Sequence, residues 1–110
     1  MKLAIIGSRT LSVDDLGKYL PQGITEIVSG GAIGIDRQAA EHAKKNNIPL
    51  TEFLPDYARY KRGAPLQRNK QIAQYADAVL AFWDGRSKGT QYTIQQFEKL
   101  GKQVIIVSFP

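Results

Sequence analysis

The chain has 110 residues, of which 43% are hydrophobic and 23% are charged, and its formal net charge is +5. This length and composition predict one globular domain spanning residues 1–110, with a single hydrophobic core. The sequence contains no cysteine, which excludes a disulfide framework, a thiol nucleophile and a thiolate metal site.

No apolar run approaches the roughly 20 residues that a membrane-spanning helix needs, and the N-terminal residues show no signal-peptide pattern. We therefore expect a cytoplasmic protein with no membrane partner. The only histidine, His42, falls in the middle of a predicted helix, where a surface or packing role is expected. Neither a metal site nor a cofactor is expected from these residues.

The first half of the chain is predicted to alternate strands and helices. Strands are predicted at residues 3–6, 25–28 and 50–54, and helices at residues 13–19 and 35–46. Ser12 is the expected N-cap of the first helix. The second helix is expected to pack closely on a sheet through a face of small and apolar residues, namely Ile35, Ala39, Ala40 and Ala43.

The second half continues the alternation after a polar, aromatic and basic loop at residues 55–63. A helix at Ala64–Tyr75 precedes the nearly all-apolar run Ala78–Trp83, which is typical of a central parallel strand covered on both faces. A helix at residues 90–100, with Leu100 on its inner face, leads to a last strand at residues 104–109. This alternation predicts an α/β fold with a mostly parallel five-stranded sheet.

Three predicted strands run directly into turns rich in glycine and small residues. The carboxyl ends of parallel strands meet at one edge of a sheet, where backbone N–H groups and helix N-termini can face a bound anion. A phosphate-bearing ligand is the first expectation for such an edge. The candidate ligand-binding residues are Gly7, Ser8, Arg9, Gly30, Gly31, Gly34, Asp36, Arg68, Asn69, Asp84, Gly85, Ser87, Gly89 and Thr90.

Two of these candidates are carboxylates with more than one expected use. Asp36 lies in the first turn of a predicted helix, where it either complements the helix dipole or accepts a hydrogen bond from a ribose hydroxyl. Asp36 and Asp84 are also the candidate catalytic residues if the protein acts on a sugar carbon. The basic turn at residues 84–90 is either a surface turn or a phosphate site, and it lacks the order of residues of a Walker loop.

Cations and aromatic residues are expected near the same edge. Tyr57 and Tyr60 are expected either to pack within the loop or to contact a ligand, whereas Trp83 is expected in the core. Cations beside the turns are Arg59, Lys61, Arg62, Arg86 and Lys88. Solvated roles at helix ends or on the opposite side are expected for Lys18, Lys44, Lys45, Lys99 and Lys102.

Four short motifs, taken together and in this order, resemble the SLOG superfamily. They are Gly7-Ser8-Arg9, the stretch from Ser29 to Asp36, Arg68-Asn69 and Ser87-Lys88-Gly89-Thr90. This superfamily joins the SMF/DprA proteins with the Lonely-Guy proteins, and the chain is most similar to its small YspA-like branch over essentially its whole length. The resemblance implies a Rossmann-like three-layer fold that binds nucleotides, nucleotide-derived ligands or single-stranded DNA.

The Lonely-Guy branch hydrolyses nucleoside monophosphates and uses a Gly-Gly-x-Gly-Thr pattern followed three residues later by a glutamate. Here Gly89 and Thr90 match that pattern, and Thr93 occupies the position of the glutamate. Because Thr93 cannot supply a carboxylate, hydrolysis of an N-glycosidic bond would need Asp36 or Asp84 in its place.

Three functions therefore remain open for this sequence. The first is binding of a nucleotide or nucleotide-derived sugar phosphate, in the manner of a sensor. The second is hydrolysis of nucleoside 5′-monophosphates, and the third is binding of single-stranded nucleic acid through the basic loop, as in the DprA branch. We also expect a homodimer, because related α/β proteins pair through helix faces.

Overall fold

The structure is a computed structural model and describes residues 1–109. Five strands form one parallel sheet: β1 (Lys2–Gly7), β2 (Glu26–Ser29), β3 (Leu50–Glu52), β4 (Ala78–Trp83) and β5 (Gln103–Ser108). The helices are α1 (Ile35–Lys45), the single turn α2 (Tyr57–Tyr60), α3 (Ala64–Tyr75) and α4 (Lys88–Lys99). Short 3₁₀ turns occupy Leu16–Tyr19 and Lys61–Gly63.

The order of the strands across the sheet is β3-β2-β1-β4-β5, and every neighbouring pair is parallel. The chain moves outward from β1 to β2 and β3 and then returns to place β4 on the other side of β1. This is the order of a Rossmann-like fold, and it confirms the predicted α/β class. A change of direction between β1 and β4 creates a crevice beyond the carboxyl ends of these two strands.

Two apolar clusters cover the two faces of the sheet, because alternate residues of each strand point in opposite directions. On one face, Leu3, Ile5 and Phe82 pack against α1 and the first 3₁₀ turn. On the other, Ala4 and Val79 pack against α3 and α4. The result is a three-layer arrangement in which β1 and β4 are buried on both sides.

The close approach of α1 to the end of β1 depends on Gly7. A Cβ atom at this position would lie 2.7 Å from the Cβ atom of Ile35, the first residue of α1. The small residues Ala39 and Ala43 are fully buried on the same face of the helix, as their spacing predicts. Helix α1 therefore begins directly beside the strand ends that form the crevice.

The predicted helix at residues 13–19 is wrong, since only Leu16–Tyr19 forms a 3₁₀ turn and Asp15, not Ser12, precedes it. The side chain of Gln38 explains the difference. Its Oε1 accepts from the Val13 N–H at 2.9 Å, and its Nε2 donates to the Val13 carbonyl at 2.7 Å. These bonds fix the backbone of Val13 against α1 and leave it outside any helical ladder.

Two further expectations about elements need correction. Residues 55–63 are not a plain loop, because Asp56 caps the turn α2 by accepting from the Arg59 N–H at 3.1 Å. Leu100 is not on the inner face of α4, since the helix ends at Lys99 and the Leu100 side chain is 51% exposed. The N-terminus of α4 lies two residues earlier than predicted, which brings Lys88 and Gly89 into its first turn.

Candidate functional site

A cleft of about 320 Å³ opens between the carboxyl ends of β1 and β4. Its walls come from the turns after both strands, the first turns of α1 and α4, and the exposed side of α3. In open α/β sheets, the point where the strand order reverses is the usual place for a ligand. The cleft lies at that point.

The turns after β1 and β4 are tied to each other by Ser8, which is buried. Its N–H donates to the carbonyl of Phe82 at 3.1 Å, and its Oγ accepts from the Asp84 N–H at 3.4 Å. These hydrogen bonds hold the backbone and the hydroxyl of Ser8 in place at the bottom of the cleft.

Asp84 shapes the turn that leads into α4. Its Oδ1 accepts from the N–H groups of Ser87 and Arg86, each at 2.8 Å. Hydrogen bonds from these two N–H groups, first Ser87 and then Arg86, lower the pKa of Asp84, so it is ionised at neutral pH. The Asp84 carboxylate therefore has a structural role in the turn that leads to Ser87, Gly89 and Thr90, which line the cleft.

Ser87 is the N-cap of α4. Its Oγ accepts from the Thr90 N–H at 3.4 Å and lies 3.1 Å from Oγ1 of Thr90. Gly89 and Thr90, in the first turn of this helix, line the cleft. The positive end of the helix dipole is thus directed at the cleft, where it favours a bound anion.

Asp36 contributes a carboxylate from the first turn of α1, and the residue is only 7% exposed. Its Oδ2 accepts from the Ala32 N–H at 3.1 Å. Burial raises the pKa of Asp36, whereas the Ala32 N–H and the nearby Arg68 charge oppose that rise. A buried carboxylate of this kind suits a hydroxyl donor, such as a ribose hydroxyl, better than it suits a phosphate.

Arg68 and Asn69 connect α3 to both sides of the cleft. Arg68 donates from Nη1 to the carbonyl of Gly30 and from Nε to Oδ1 of Asn69 at 2.7 Å. Asn69 in turn points its Nδ2 at the carbonyl of Gly89, 3.5 Å away. The guanidinium is therefore linked through Asn69 to the first turn of α4.

Gly30 permits this arrangement. A Cβ atom at this position would lie 2.8 Å from Nη1 of Arg68 and 3.0 Å from Oδ2 of Asp36. Any side chain would push apart the cation and the carboxylate that face each other across the glycine. A larger residue at this position would therefore displace the Arg68 guanidinium from the Gly30 carbonyl.

A second cleft, of about 300 Å³, adjoins the first. It lies over the turn after β2 and reaches Pro55 and Tyr57. Arg9, Ala32, Pro65 and Arg68 line both clefts. These four residues form the wall that the two spaces share, and we call them the shared wall.

Most of the predicted ligand-binding residues converge on these clefts. Those that line the first cleft are Gly7, Ser8, Arg9, Asp36, Arg68, Asn69, Asp84, Ser87, Gly89 and Thr90. Gly30 and Gly31 line the second cleft.

Gly34 and Gly85 line neither cleft. Gly34 has φ of 76°, and a Cβ atom there would lie 2.6 Å from the backbone oxygen of Arg9. It holds the turn after β2 against the turn after β1. Gly85 has φ of 79° and open space around it, so it serves the turn after β4.

Sequence reasoning did not select Ala32, Pro65, Leu66 or Thr93 as ligand-binding residues, although all four line the first cleft. Thr93 is nearly fully buried and donates from Oγ1 to the carbonyl of Gly89 at 2.9 Å. Its position one turn after Gly89 is the signal that could have placed it in the cleft.

Of the other aromatic and cationic candidates, some line a cleft and others do not. Tyr57 lines the second cleft, whereas Tyr60 lies outside both clefts and stacks against the Arg59 guanidinium. Trp83 is only partly buried and donates from Nε1 to the Ser87 carbonyl at 3.0 Å. Cations that line neither cleft are Arg59, Lys61, Arg62, Arg86 and Lys88.

Within residues 1–109, no cluster of three or more histidine, cysteine or carboxylate residues is arranged to hold a metal ion. Across the same residues, no helix combines the length and the apolar character that a membrane span requires.

No protein-family model matches this chain, and the comparisons with curated proteins and with solved structures found no match.

Proposed function

We propose that this chain binds a nucleotide or a nucleotide-derived sugar phosphate in the cleft between β1 and β4. One observation carries the proposal: the N-terminus of α4, the Arg68 guanidinium and the Asp36 carboxylate all border one cleft at the reversal of strand order. Such a site offers donors for a phosphate and an acceptor for a sugar hydroxyl.

The phosphate is assigned to the side of the cleft where Asn69 links Arg68 to Gly89. Positive charge from Arg9 and Arg68 and the end of the α4 dipole act together there. The sugar is assigned to the side of Asp36, because a carboxylate accepts hydrogen bonds from hydroxyls and repels phosphate. The resemblance of the turns to the SLOG superfamily supports the same class of ligand.

Arg9→Ala is the most direct test of this proposal. Arg9 is exposed and borders both clefts, so its removal should leave the fold intact. A hydrogen bond to a charged group contributes about 1.5–3 kcal/mol, so we expect the affinity for a nucleotide to fall roughly tenfold or more. The readout is isothermal titration with AMP and ADP-ribose, after a thermal-shift screen of nucleotides.

Arg37→Ala is the matched control, since Arg37 is an exposed residue of α1 that lines neither cleft. It removes the same charge from the molecule and should leave the affinity unchanged. Equal affinities for Arg9→Ala and wild type would place the binding site elsewhere.

Hydrolysis of nucleoside monophosphates is the second candidate, and the burial of Asp36 favours it. Burial raises the pKa of Asp36, which is the direction that favours a general acid or base among carboxyl groups. We expect such an activity to release free base from a nucleoside monophosphate and to disappear in Asp36→Asn. Binding without base release would leave the protein a binding module.

A further inference from the structure

The second cleft differs from the first in the chemistry of its lining. Apart from Arg9, Arg68 and Tyr57, its lining side chains carry no polar atoms. Tyr57 is 58% exposed and Ile33 is 54% exposed, so both side chains present apolar surface to solvent at this cleft. A largely exposed aromatic ring and an aliphatic side chain in the same lining suit a planar apolar group.

The first cleft is polar by comparison. Its functional groups include the Asp36 carboxylate, the Asn69 amide and the hydroxyls of Ser87 and Thr90. These are groups that hydrogen-bond to hydroxyls and phosphates. The two spaces are therefore complementary to the two ends of a molecule with one polar end and one aromatic end.

The shared wall carries two cations. Burial lowers the pKa of Arg68; Asp36 and Tyr57 oppose that effect, and the charge of Arg9 adds to it. Arg9 and Arg68 both border both clefts, so two positive charges lie on the wall between the two spaces. An anion placed at the shared wall would be attracted by both charges.

We propose that the ligand has two lobes joined by phosphate: an aromatic base in the second cleft, a diphosphate that reaches from the shared wall along Arg68 and Asn69 to the first turn of α4, and a sugar in the first cleft. The chemical class is a nucleoside diphosphate sugar or a dinucleotide. This inference rests on the proposed function and specifies its ligand. The base stacks on Tyr57, the diphosphate contacts Arg9 and Arg68, and the sugar hydroxyls contact Asp36.

Three probes separate the parts of this ligand in isothermal titrations of the whole chain. Ribose 5-phosphate supplies a sugar and an anion, AMP adds a base to that sugar phosphate, and ADP-ribose supplies both lobes with a diphosphate. We expect ADP-ribose to bind at least about tenfold more tightly than either of the smaller probes, because only it fills both clefts.

Tyr57→Ala tests the second cleft separately. Stacking of a base on an aromatic side chain contributes about 1–3 kcal/mol, so the affinity for ADP-ribose should fall roughly tenfold. The affinity for AMP should fall in the same way, and that for ribose 5-phosphate should not change. Tyr57→Phe keeps the ring and is the matched control, with affinities close to wild type.

The outcomes distinguish this inference from the proposed function. If Tyr57→Ala leaves the affinity for ADP-ribose unchanged, or ADP-ribose binds no more tightly than AMP and ribose 5-phosphate, the two-lobed ligand is overturned. The proposed function would survive that result, provided that Arg9→Ala still weakens binding of the smaller probes. If none of the three probes binds the wild-type protein, both are overturned.

Discussion

At the level of single residues, Asp36 and Asp84 both line the first cleft, but their charges affect the stability of the fold in opposite directions. Asp36 is nearly buried, and burial raises its pKa. Asp84 accepts two backbone hydrogen bonds, which lower its pKa. The charge of Asp36 is therefore costly to the folded state, whereas the charge of Asp84 supports it.

Asp36→Asn should make the protein more stable than wild type at neutral pH, by on the order of 1 kcal/mol. The asparagine still accepts from the Ala32 N–H but carries no buried charge. The pKa of Asp36 is raised in the folded state, so ionisation of this carboxyl lowers the stability of the wild-type fold. That loss of stability is complete above the folded pKa and disappears as the pH falls toward the ordinary carboxyl value of about 3.9. Urea unfolding between about pH 4 and pH 8 measures the difference between variant and wild type.

Asp84→Asn is the comparison variant, and its pH dependence should have the opposite sign. The stability that Asp84 contributes is present above the ordinary carboxyl pKa and is lost as the pH falls through its lowered folded pKa. This variant should therefore be less stable than wild type at neutral pH, with a difference that shrinks in acid. Parallel pH profiles for the two variants would contradict the assigned roles.

Gly34 occupies a position that only glycine fits, both for its backbone angles and for the space around its Cα atom. Its φ of 76° and ψ of −127° lie outside the regions open to other residues, and a Cβ atom would meet the Arg9 backbone oxygen. Gly34→Ala should lower the free energy of unfolding by about 3 kcal/mol or more, from backbone strain together with the steric contact.

Gly101→Ala is the control for that variant. Gly101 has φ of 69°, but a Cβ atom added there would have no other atom within 4 Å, so the substitution incurs only the backbone cost of about 1–2 kcal/mol. Both values come from urea denaturation. Equal losses for the two variants would show that the contact between the turns after β1 and β2 adds nothing to stability.

At the level of elements, the sequence predicted the bounds of β4 and of α3 to the residue, and β4 shows why. It is nearly all apolar and central, so its environment on both faces agrees with its local pattern. The prediction of a helix at residues 13–19 was wrong because the local pattern and the tertiary environment disagree there. Its local pattern favours a helix, but the long-range bonds between Val13 and Gln38 determine the backbone there.

The end of α3 depends on a residue that was expected to be merely solvated. Lys102 donates from Nζ to the carbonyls of Ala73 and Ala76 at 2.7 Å and of Gln74 at 3.1 Å. These carbonyls lie at the C-terminus of the helix, where they lack partners within the helix and where a positive charge is favourable. The ammonium group therefore acts as a C-terminal cap supplied by the segment before β5.

Lys102→Met should lower the free energy of unfolding by about 1–3 kcal/mol, because the aliphatic part of the side chain is kept and the capping bonds are lost. Lys99→Met removes an equal charge from an exposed position and should change the stability by no more than about 0.5 kcal/mol. Hydrogen exchange should locate the effect of Lys102→Met in the last turn of α3. Similar stabilities for the two variants would contradict the capping role.

At the level of the whole molecule, the sequence predicted which residues meet at one edge of the sheet, but not the two clefts into which packing divides that edge. Residues that follow parallel strands must meet at one edge of the sheet, so Ser8, Asp36 and Gly89 could be grouped from the pattern alone. The second cleft brings Tyr57 and Ile33 into one lining. Ile33 follows β2 and Tyr57 follows the neighbouring parallel strand β3, so the pattern puts both at the same edge, and the packing of α2 and the start of α3 beside the turn after β2 brings them into one lining.

The distribution of charge gives the last prediction, which separates a small ligand from a nucleic acid. The net charge of +5 is spread widely, and only Arg9 and Arg68 among the cations of residues 1–109 border the clefts. A small anion that contacts these two groups neutralises few charges. Its affinity should therefore fall far less between about 50 and 200 mM salt than that of a protein making many phosphate contacts.

The combined variant Arg59→Ala, Lys61→Ala and Arg62→Ala also distinguishes a small ligand from a nucleic acid, and it does so at a single salt concentration. These residues lie outside both clefts, so the affinity for ADP-ribose should stay within about twofold of wild type, as expected for surface positions away from a site. A single-stranded oligonucleotide that follows the basic segment would instead lose its affinity in this variant and show a steep salt dependence. Tight, salt-sensitive oligonucleotide binding that depends on these three residues would make nucleic acid the ligand and the clefts secondary.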